Sequence, residues 1–303
     1  MKDELIQLTF QINESQQLLR DAIRQYGISK KALTSIKYEG GKITVNGEEK
    51  TVRHRLDVGD TVMITFPPEK KSDGLIPQQV DFPILMEDDH LLILTKVAGV
   101  STIPSREHPT GTLANFIAGY MEKSGLSSTV HIVTRLDKDT SGIICVAKHR
   151  HAHHLLSEMQ KLGQISRTYE AFVHGHIGQD DFLIDAPIGR KNGSIIERVI
   201  DSEGKQAKTS VQVLTRFEKL GEKLTHVRLH LHTGRTHQIR VHMMSIGHPL
   251  IGDDLYGGDL QLIERQALHA RELTLVHPFT KENIHLVAPF PQDMKSLIPT
   301  NYS

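Results

Sequence analysis

The chain of 303 residues contains one cysteine, so no disulfide framework can form within it. Cys145 lies in the apolar run Gly142-Ile143-Ile144-Cys145-Val146-Ala147 and reads as a buried, inert core thiol. There is also no net charge, because 36 basic side chains face 36 acidic ones. That argues against a protein that grips nucleic acid by charge alone, while leaving room for local basic surfaces. No uninterrupted apolar stretch is long enough to cross a bilayer, which excludes a membrane span of that kind. The start, Met1-Lys2-Asp3-Glu4, is charged and unlike a signal peptide, and the expected location is the cytoplasm. Neither internal repeats nor low-complexity tracts occur. Hydrophobic residues at 38% and charged residues at 24% suffice for a packed core without disulfides or metal.

Two regions are expected. Residues 1–66 form a small α/β module, 67–80 a linker, and 81–303 a larger domain. In the module, helices are expected at Gln16 to Tyr26 and Ser29 to Lys37, with Ser29 as N-cap of the second. A strand at Lys42 to Val45 turns at Asn46-Gly47, a strong hairpin signal, and Thr61 to Phe66 alternates as a strand. Residues 15–66 carry nine Lys/Arg against six acids, several on the two helices, which alone reads as a solvated face. The segment from Pro67 to Gly74 breaks all periodicity. Beyond it, strands are expected at His90 to Thr95, His131 to Thr134, Gly142 to Ala147, Tyr169 to Val173, Val227 to Leu231 and Ile284 to Val287. Helices are expected at Thr112 to Lys123 and His149 to Leu162. The links are short and hairpin-like, which favours an α+β fold with a mixed, mainly antiparallel sheet over a doubly wound one.

Three polar segments interrupt the apolar pattern. Val133 to Gly142 joins two strands through Arg135, Asp137, Lys138 and Asp139. By composition it is a plain turn, except that Arg135 and Asp137 stand together at the end of a buried strand, where scaffold-held reactive groups sit. In Thr233 to His242 a helix or extended turn displays Arg235, Thr236, His237, Gln238 and Arg240, donors suited to phosphates and base edges. Tyr169 begins a strand, a position that for a lone aromatic usually means core.

Together these segments resemble the RluA branch of the pseudouridine synthases. Arg135 to Gly142 matches Arg-Leu-Asp-x-x-Thr-Ser-Gly, Arg167-Thr168-Tyr169 matches the basic-x-Tyr element, and Gly234 to His242 matches Gly-Arg-Thr-His-Gln-Ile-Arg-Val-His in full. Gly247 to Gly258, Leu268-His269-Ala270 and Ala288 to Pro291 fit too, so the likeness runs from about residue 81 to 294. The family usually has His where this chain has Thr134. In front, Gly41 to Gly47 and Val58 to Ile64 resemble an S-four-like RNA-binding domain, whose usual Arg-Leu-Asp helix opening is replaced by Gln16-Gln17-Leu18-Leu19.

The resemblance implies an isomerase that converts uridine to pseudouridine in structured RNA, most often large-subunit ribosomal RNA, with transfer RNA also found. Asp137 would work at the anomeric carbon, Arg240 would pair with it, and Tyr169 would stand against the base as a wall or proton acceptor. Arg135 would help fill the space left by the flipped nucleotide. Arg235, His237 and the module's Arg20, Lys30 and Lys31 would contact RNA. No cofactor, no metal and no obligatory protein partner are implied, and a monomer is expected.

Two rivals differ in class. A metal-dependent hydrolase is suggested by His149, His151, His153 and His154 and by His226, His230 and His232, among 19 His in all. However, no carboxylate or Cys completes a site at recognisable spacing, and His-Glu-x-x-His is absent. Solvated helix histidines and RNA contacts are the expected explanation. An RNA-binding protein without activity is the other rival, and it has no use for Asp137, Tyr169 and Arg240 together.

Overall fold

The structure, a computed structural model, describes residues 5–14, 17–69, 72, 74–126 and 128–299. Gln16, the expected start of the first helix, and Lys70, Lys71 and Asp73 of the linker lie outside them. The amino-terminal module contains β1 (Gln7–Gln11), α1 (Leu19–Gln25), α2 (Lys30–Tyr38), β2 (Lys42–Val45), β3 (Glu48–Glu49) and β4 (Thr61–Thr65). Its sheet runs β1-β4-β2-β3. The Ser29 hydroxyl accepts from the Ala32 N–H, as an N-cap should. Asn46 and Gly47 both take positive φ, the conformation a two-residue hairpin turn requires. Strand β1 was not expected, although its alternation buries Leu8 and Phe10 on one face.

The larger region contains β5 (Ile84–Glu87), β6 (Leu91–Lys96), α3 (Leu113–Lys123), β7 (His131–Ile132), β8 (Ser141–Ala147), α4 (Arg150–Lys161) and β9 (Ile165–His174). It continues with β10 (Asp181–Asp185), β11 (Ile188–Arg190), β12 (Arg198–Ile200), β13 (Lys208–Lys219), β14 (Glu222–Leu231), α5 (Gln238–Ser245), β15 (Leu268–Val276), β16 (Asn283–Val287) and α6 (Gln292–Lys295). Ten strands form one sheet, ordered β10-β13-β14-β9-β15-β8-β6-β5, with β7 on β8 and β16 on β15. Among the described residues only β15 and β8 pair in parallel, so the sheet is mixed and mainly antiparallel and the class is α+β, as expected. Gly142 makes that parallel contact possible. It takes φ +118°, and a Cβ there would collide with the Ala270 backbone.

The central strands are buried on both faces, which explains their continuous apolar runs. Leu92, Leu94, Ile144 and Val146 face Leu113, Ile117 and Met121 of α3, together with Ile239 and Met243 of α5. Leu91, Ile93, Ile143, Cys145 and Ala147 face Ala152 and Leu156 of α4. Burial pushes the Cys145 thiol up to about 12, in keeping with an inert core position. The segment read as a linker lies against α3 in its later part, where the Gln78 N–H donates to the Asn115 carbonyl. Among the described residues, no helix is long and apolar enough to cross a membrane.

Several histidines expected on solvated faces are instead buried where the module meets the larger region. His149 caps α4 by accepting from the Ala152 N–H at Nδ1, so its Nε2 donates to Nδ1 of His90, 3.0 Å away. His151 stacks on Phe66, and Phe279 of the larger region also packs on the module's core. Gly27 sits so close to Leu155 of α4 that a side chain there would displace it. Burial, reinforced by neighbouring imidazoles, lowers His149 to about 3 and His151 to about 4. Burial likewise lowers His269 to about 4.

An unfolded chain binds these protons near pH 6.5 and the folded one does not. The stability held above that pH is therefore lost as pH falls toward 4 and 3, at about 1.4 kcal/mol per unit for each group. Calorimetric melting from about pH 7 to about pH 5 should show a steady fall in Tm. His151→Phe should make the fall shallower by about a third, since His149 and His269 keep their share, and a pH-independent Tm in the parent protein would contradict this account.

Candidate active site

A cleft of about 750 Å³ opens on the α3/α5 face of the sheet, lined by Arg135 and Asp137 from the β7–β8 loop, Tyr169 from β9, and the segment from Leu231 to Arg240. The loop bearing Asp137 is pinned residue by residue. The Thr102 hydroxyl donates to the Leu136 carbonyl at 2.6 Å. The buried Lys96 ammonium donates to the carbonyls of Val97, Val100 and Lys138, each at 2.8 Å. Arg265 donates to the Asp139 carbonyl, and Gln266 to the Thr140 hydroxyl. Burial pushes the Lys96 ammonium down to about 7, against the pull of the Asp139 and Asp137 carboxylates. A polar turn is thereby held to the precision that reactive groups need.

Arg240 rises from α5 and is buried beneath the carboxylate. Its Nε and Nη2 donate to the two oxygens of Asp253, both at 2.7 Å, and Nη1 lies 3.6 Å from Oδ2 of Asp137. Burial opposes the guanidinium charge, but the bonds and charge of Asp253, helped by Asp137 and Tyr256, outweigh it and raise its pKa. The expected pairing of Arg240 with Asp137 is thus the looser of two contacts. Asp253, fully buried, is the partner that fixes the guanidinium.

His237 sits at the start of α5 with φ 56° and ψ 20°, a left-handed conformation that costs a non-glycine residue about 1 kcal/mol. The Arg198 N–H donates to the Tyr256 hydroxyl at 2.8 Å, and that hydroxyl lies 2.9 Å from Nδ1 of His237. A hydroxyl that accepts from Arg198 donates to Nδ1, which leaves the Nε2 proton facing Oδ2 of Asp137 at 3.9 Å. Burial lowers the pKa of His237; Asp137 opposes this and the Arg240 and Arg198 charges reinforce it.

Tyr169 is buried in the sheet face behind the cleft. Burial raises its pKa against the effect of Arg167, leaving a neutral phenol. Arg135 and Arg235 are exposed on the cleft, and Nε of Arg235 donates to the Gln206 carbonyl. Gln238 is a structural crosslink, accepting from Thr233 and the Arg235 N–H and donating to Lys208 and Thr209. Thr134 faces away from the cleft and accepts from the Cys145 N–H. Arg20, Lys30 and Lys31 are exposed on α1 and α2 of the module and do not line the cleft.

The cleft therefore gathers six of the nine expected site residues. Sequence reasoning passed over Asp253, Tyr256 and Lys96, although Asp253 and Tyr256 stand inside a matched segment. Among the described residues, no three His, Cys, Asp or Glu side chains group as a metal ion would require. His226 instead bonds Glu170 at 2.9 Å, and His232 bonds Ser210 at 2.8 Å.

Residues 90–245 match the RNA pseudouridylate synthase family, and the chain belongs to it. It is 50% identical over 274 residues to the uncharacterized RNA pseudouridine synthase YjbO of Bacillus subtilis, covering 90% of this chain and 95% of that one. It is 37% identical over 272 residues to ribosomal large subunit pseudouridine synthase D of Pseudomonas aeruginosa, covering 85% and 83%. Among solved structures, human RNA pseudouridylate synthase domain containing 1 superposes with a TM-score of 0.58 at 27% identity, covering 70% of this chain and 84% of that one. The fold is that of the pseudouridine synthases, and the chemistry is isomerisation of uridine to pseudouridine in RNA.

Proposed function

We propose that the chain isomerises uridine in large-subunit ribosomal RNA, as a cytoplasmic monomer, with Asp137 working on the reacting sugar. The observation that carries the reading is the position of the Asp137 carboxylate in the cleft. Both nearby donors, from Arg240 and His237, fall on Oδ2. Oδ1 is then the oxygen for the sugar, either as nucleophile at the anomeric carbon or as the base that takes a sugar proton. Uracil leaves C1′, turns, and rejoins through carbon five as any bond from Asp137 to C1′ breaks; carbon five then gives up its proton while N1, released from the sugar, takes one, so the proton count of the base is unchanged. The departing base stays bound, so one carboxylate replaces the pair that ordinary glycoside hydrolysis uses. No electrons leave or enter, and no redox partner is needed.

Tyr169, a neutral phenol in an apolar wall, fits stacking against the base better than accepting a proton from it. Arg135, exposed on the same loop, is suited to fill the gap that the flipped nucleotide leaves. Arg235 is suited to phosphate on the cleft wall.

The test is incubation with a pseudouridine-free transcript of large-subunit ribosomal RNA and, in parallel, with transfer RNA, followed by mapping. Pseudouridine in the first at discrete positions is the expected result. Its absence there and presence in transfer RNA would reassign the substrate.

The module at residues 1–66 is proposed as the S-four-like RNA anchor, with Arg20, Lys30 and Lys31 on its exposed helices. Removing it should weaken RNA binding by about tenfold or more, as several phosphate contacts are lost. Because the module shares the buried seam at Phe66 and Phe279, the truncated protein should also melt at lower temperature. Unchanged affinity at moderate salt would show that the anchor lies elsewhere.

A further inference from the structure

The two side chains that approach Oδ2 of Asp137, His237 and Arg240, stand three residues apart at the start of α5. Each is braced from behind. Asp253 clamps the Arg240 guanidinium, and the Tyr256 hydroxyl meets the His237 imidazole. Those two partners are also three residues apart, on the short helical turn Asp254–Tyr256 and the residue that precedes it. A single turn of chain therefore holds both groups that face the carboxylate. The first clamp fixes a cation, and the second fixes the position of a proton.

His237 is the N-cap residue of α5, yet its side chain makes no cap bond to the helix. Most helices place a short polar side chain there to accept from the first free N–H groups. Its left-handed backbone adds strain, which persists where the surroundings over-determine a residue. Tyr256 is the determining neighbour. It is buried and does not line the cleft, whereas His237 does. Its ring lies 4.9 Å from the Arg240 guanidinium, and its hydroxyl joins the Arg198 N–H to Nδ1 of His237. Burial favours the neutral imidazole. The hydroxyl accepts from Arg198 and gives its own proton to Nδ1, so the ring proton stays on Nε2. With the hydroxyl removed, that proton is free to sit on Nδ1, and a lone pair then faces the Asp137 carboxylate.

We propose that Tyr256 and His237 are a positioning pair for the reaction: the Tyr256 hydroxyl fixes the imidazole tautomer, and the Nε2–H so presented aligns the Asp137 carboxylate once RNA has filled the cleft. The inference rests on Asp137 as the working carboxylate, proposed above. It gives His237 a different task from the RNA contact that the family resemblance implies. In the free protein Nε2 and Oδ2 are 3.9 Å apart and the Asp137 side chain is 30% exposed. Contacts of that length tighten when a bound substrate displaces water from the site.

Tyr256→Phe keeps the ring against Arg240 and removes only a hydroxyl, from a residue outside the cleft. On the pseudouridine-free large-subunit transcript its kcat should fall about tenfold with KM within about twofold, as for one hydrogen bond lost behind the carboxylate. His237→Leu should lose about thirtyfold in kcat, as for a lost hydrogen bond to a charged group. His237→Gln presents an amide donor near the Nε2 position and should recover most of that loss. An unchanged kcat in Tyr256→Phe overturns the pair. So does a raised KM at unchanged kcat in His237→Leu, which would return His237 to RNA contact.

A second readout needs no RNA. In long-range proton–nitrogen correlation spectra of the free protein, the His237 ring signals are those lost in His237→Gln. They should show the Nε2–H tautomer in the parent and move toward a mixture of both tautomers in Tyr256→Phe. The Nδ1–H form in the parent, or an unchanged spectrum in Tyr256→Phe, removes the pair. If the parent converts nothing in the large-subunit transcript but shows this tautomer shift, the substrate reading fails and the pair stands.

Discussion

Asp137→Asn should abolish pseudouridine formation, lowering the rate by about 10⁴-fold or more, while RNA affinity stays within about twofold. The amide keeps the shape of the carboxylate. It loses the charge and the nucleophilic or basic oxygen, and no second carboxylate in the cleft takes the same position. Asp139 is two residues away, and its carbonyl is held by Arg265. The loop itself should not move, because Thr102, Lys96 and Gln266 hold its neighbours rather than the Asp137 side chain. Release of tritium from RNA labelled at carbon five of uridine measures the conversion directly, and filter binding measures affinity. Activity within tenfold of the parent would remove Asp137 from the reaction.

The second large effect is expected at a residue that cannot touch the substrate. Asp253→Asn replaces an anion that is fully buried and bonded twice to Arg240. The new amide nitrogen would face a guanidinium N–H, donor against donor. The remaining anion near Arg240 is Asp137 at 3.6 Å, so the guanidinium should swing toward it and close the cleft's central ion pair. Breaking a buried pair by removing one partner costs about 3–5 kcal/mol, and a misplaced group in the cleft costs about 100-fold in rate. Denaturant unfolding reads the first loss and single-turnover kinetics at saturating RNA the second. Arg240→Lys should not substitute for the native pair, because an ammonium cannot bridge both carboxylate oxygens in a plane. A fully active, fully stable Asp253→Asn protein would show that Arg240 is oriented by something else.

What could be read from sequence differs by the range of the interaction. The Asn46-Gly47 hairpin, the Ser29 cap and the paired runs around Ile93 and Ile144 were legible because turn and burial signals repeat within a few residues. β1 and the strands β10 to β13 were not expected. In β13 the buried positions alternate only at its start, and β11 and β12 are three residues each. The histidines of α4 looked like a solvated row. Nothing local shows that the module covers His149 and His151.

Asp137 shows the same division. The sequence alone marked it as an acid in a turn, and family resemblance supplied Tyr169 and Arg240 as companions. Arg135, Asp137 and the segment from Gly234 to His242 were sufficient to identify the chemistry, because such a motif is a list of donors and acids in order. Only the tertiary structure decided that Asp253 holds Arg240, that Lys96 is buried under the loop and bonds a carbonyl 42 residues along the chain, and that His237 reaches Asp137 through a network anchored at Arg198. Those are contacts between distant segments, and their strength comes from burial. Burial is a property of how the sheet and helices close over one another, so no stretch of sequence carries it alone.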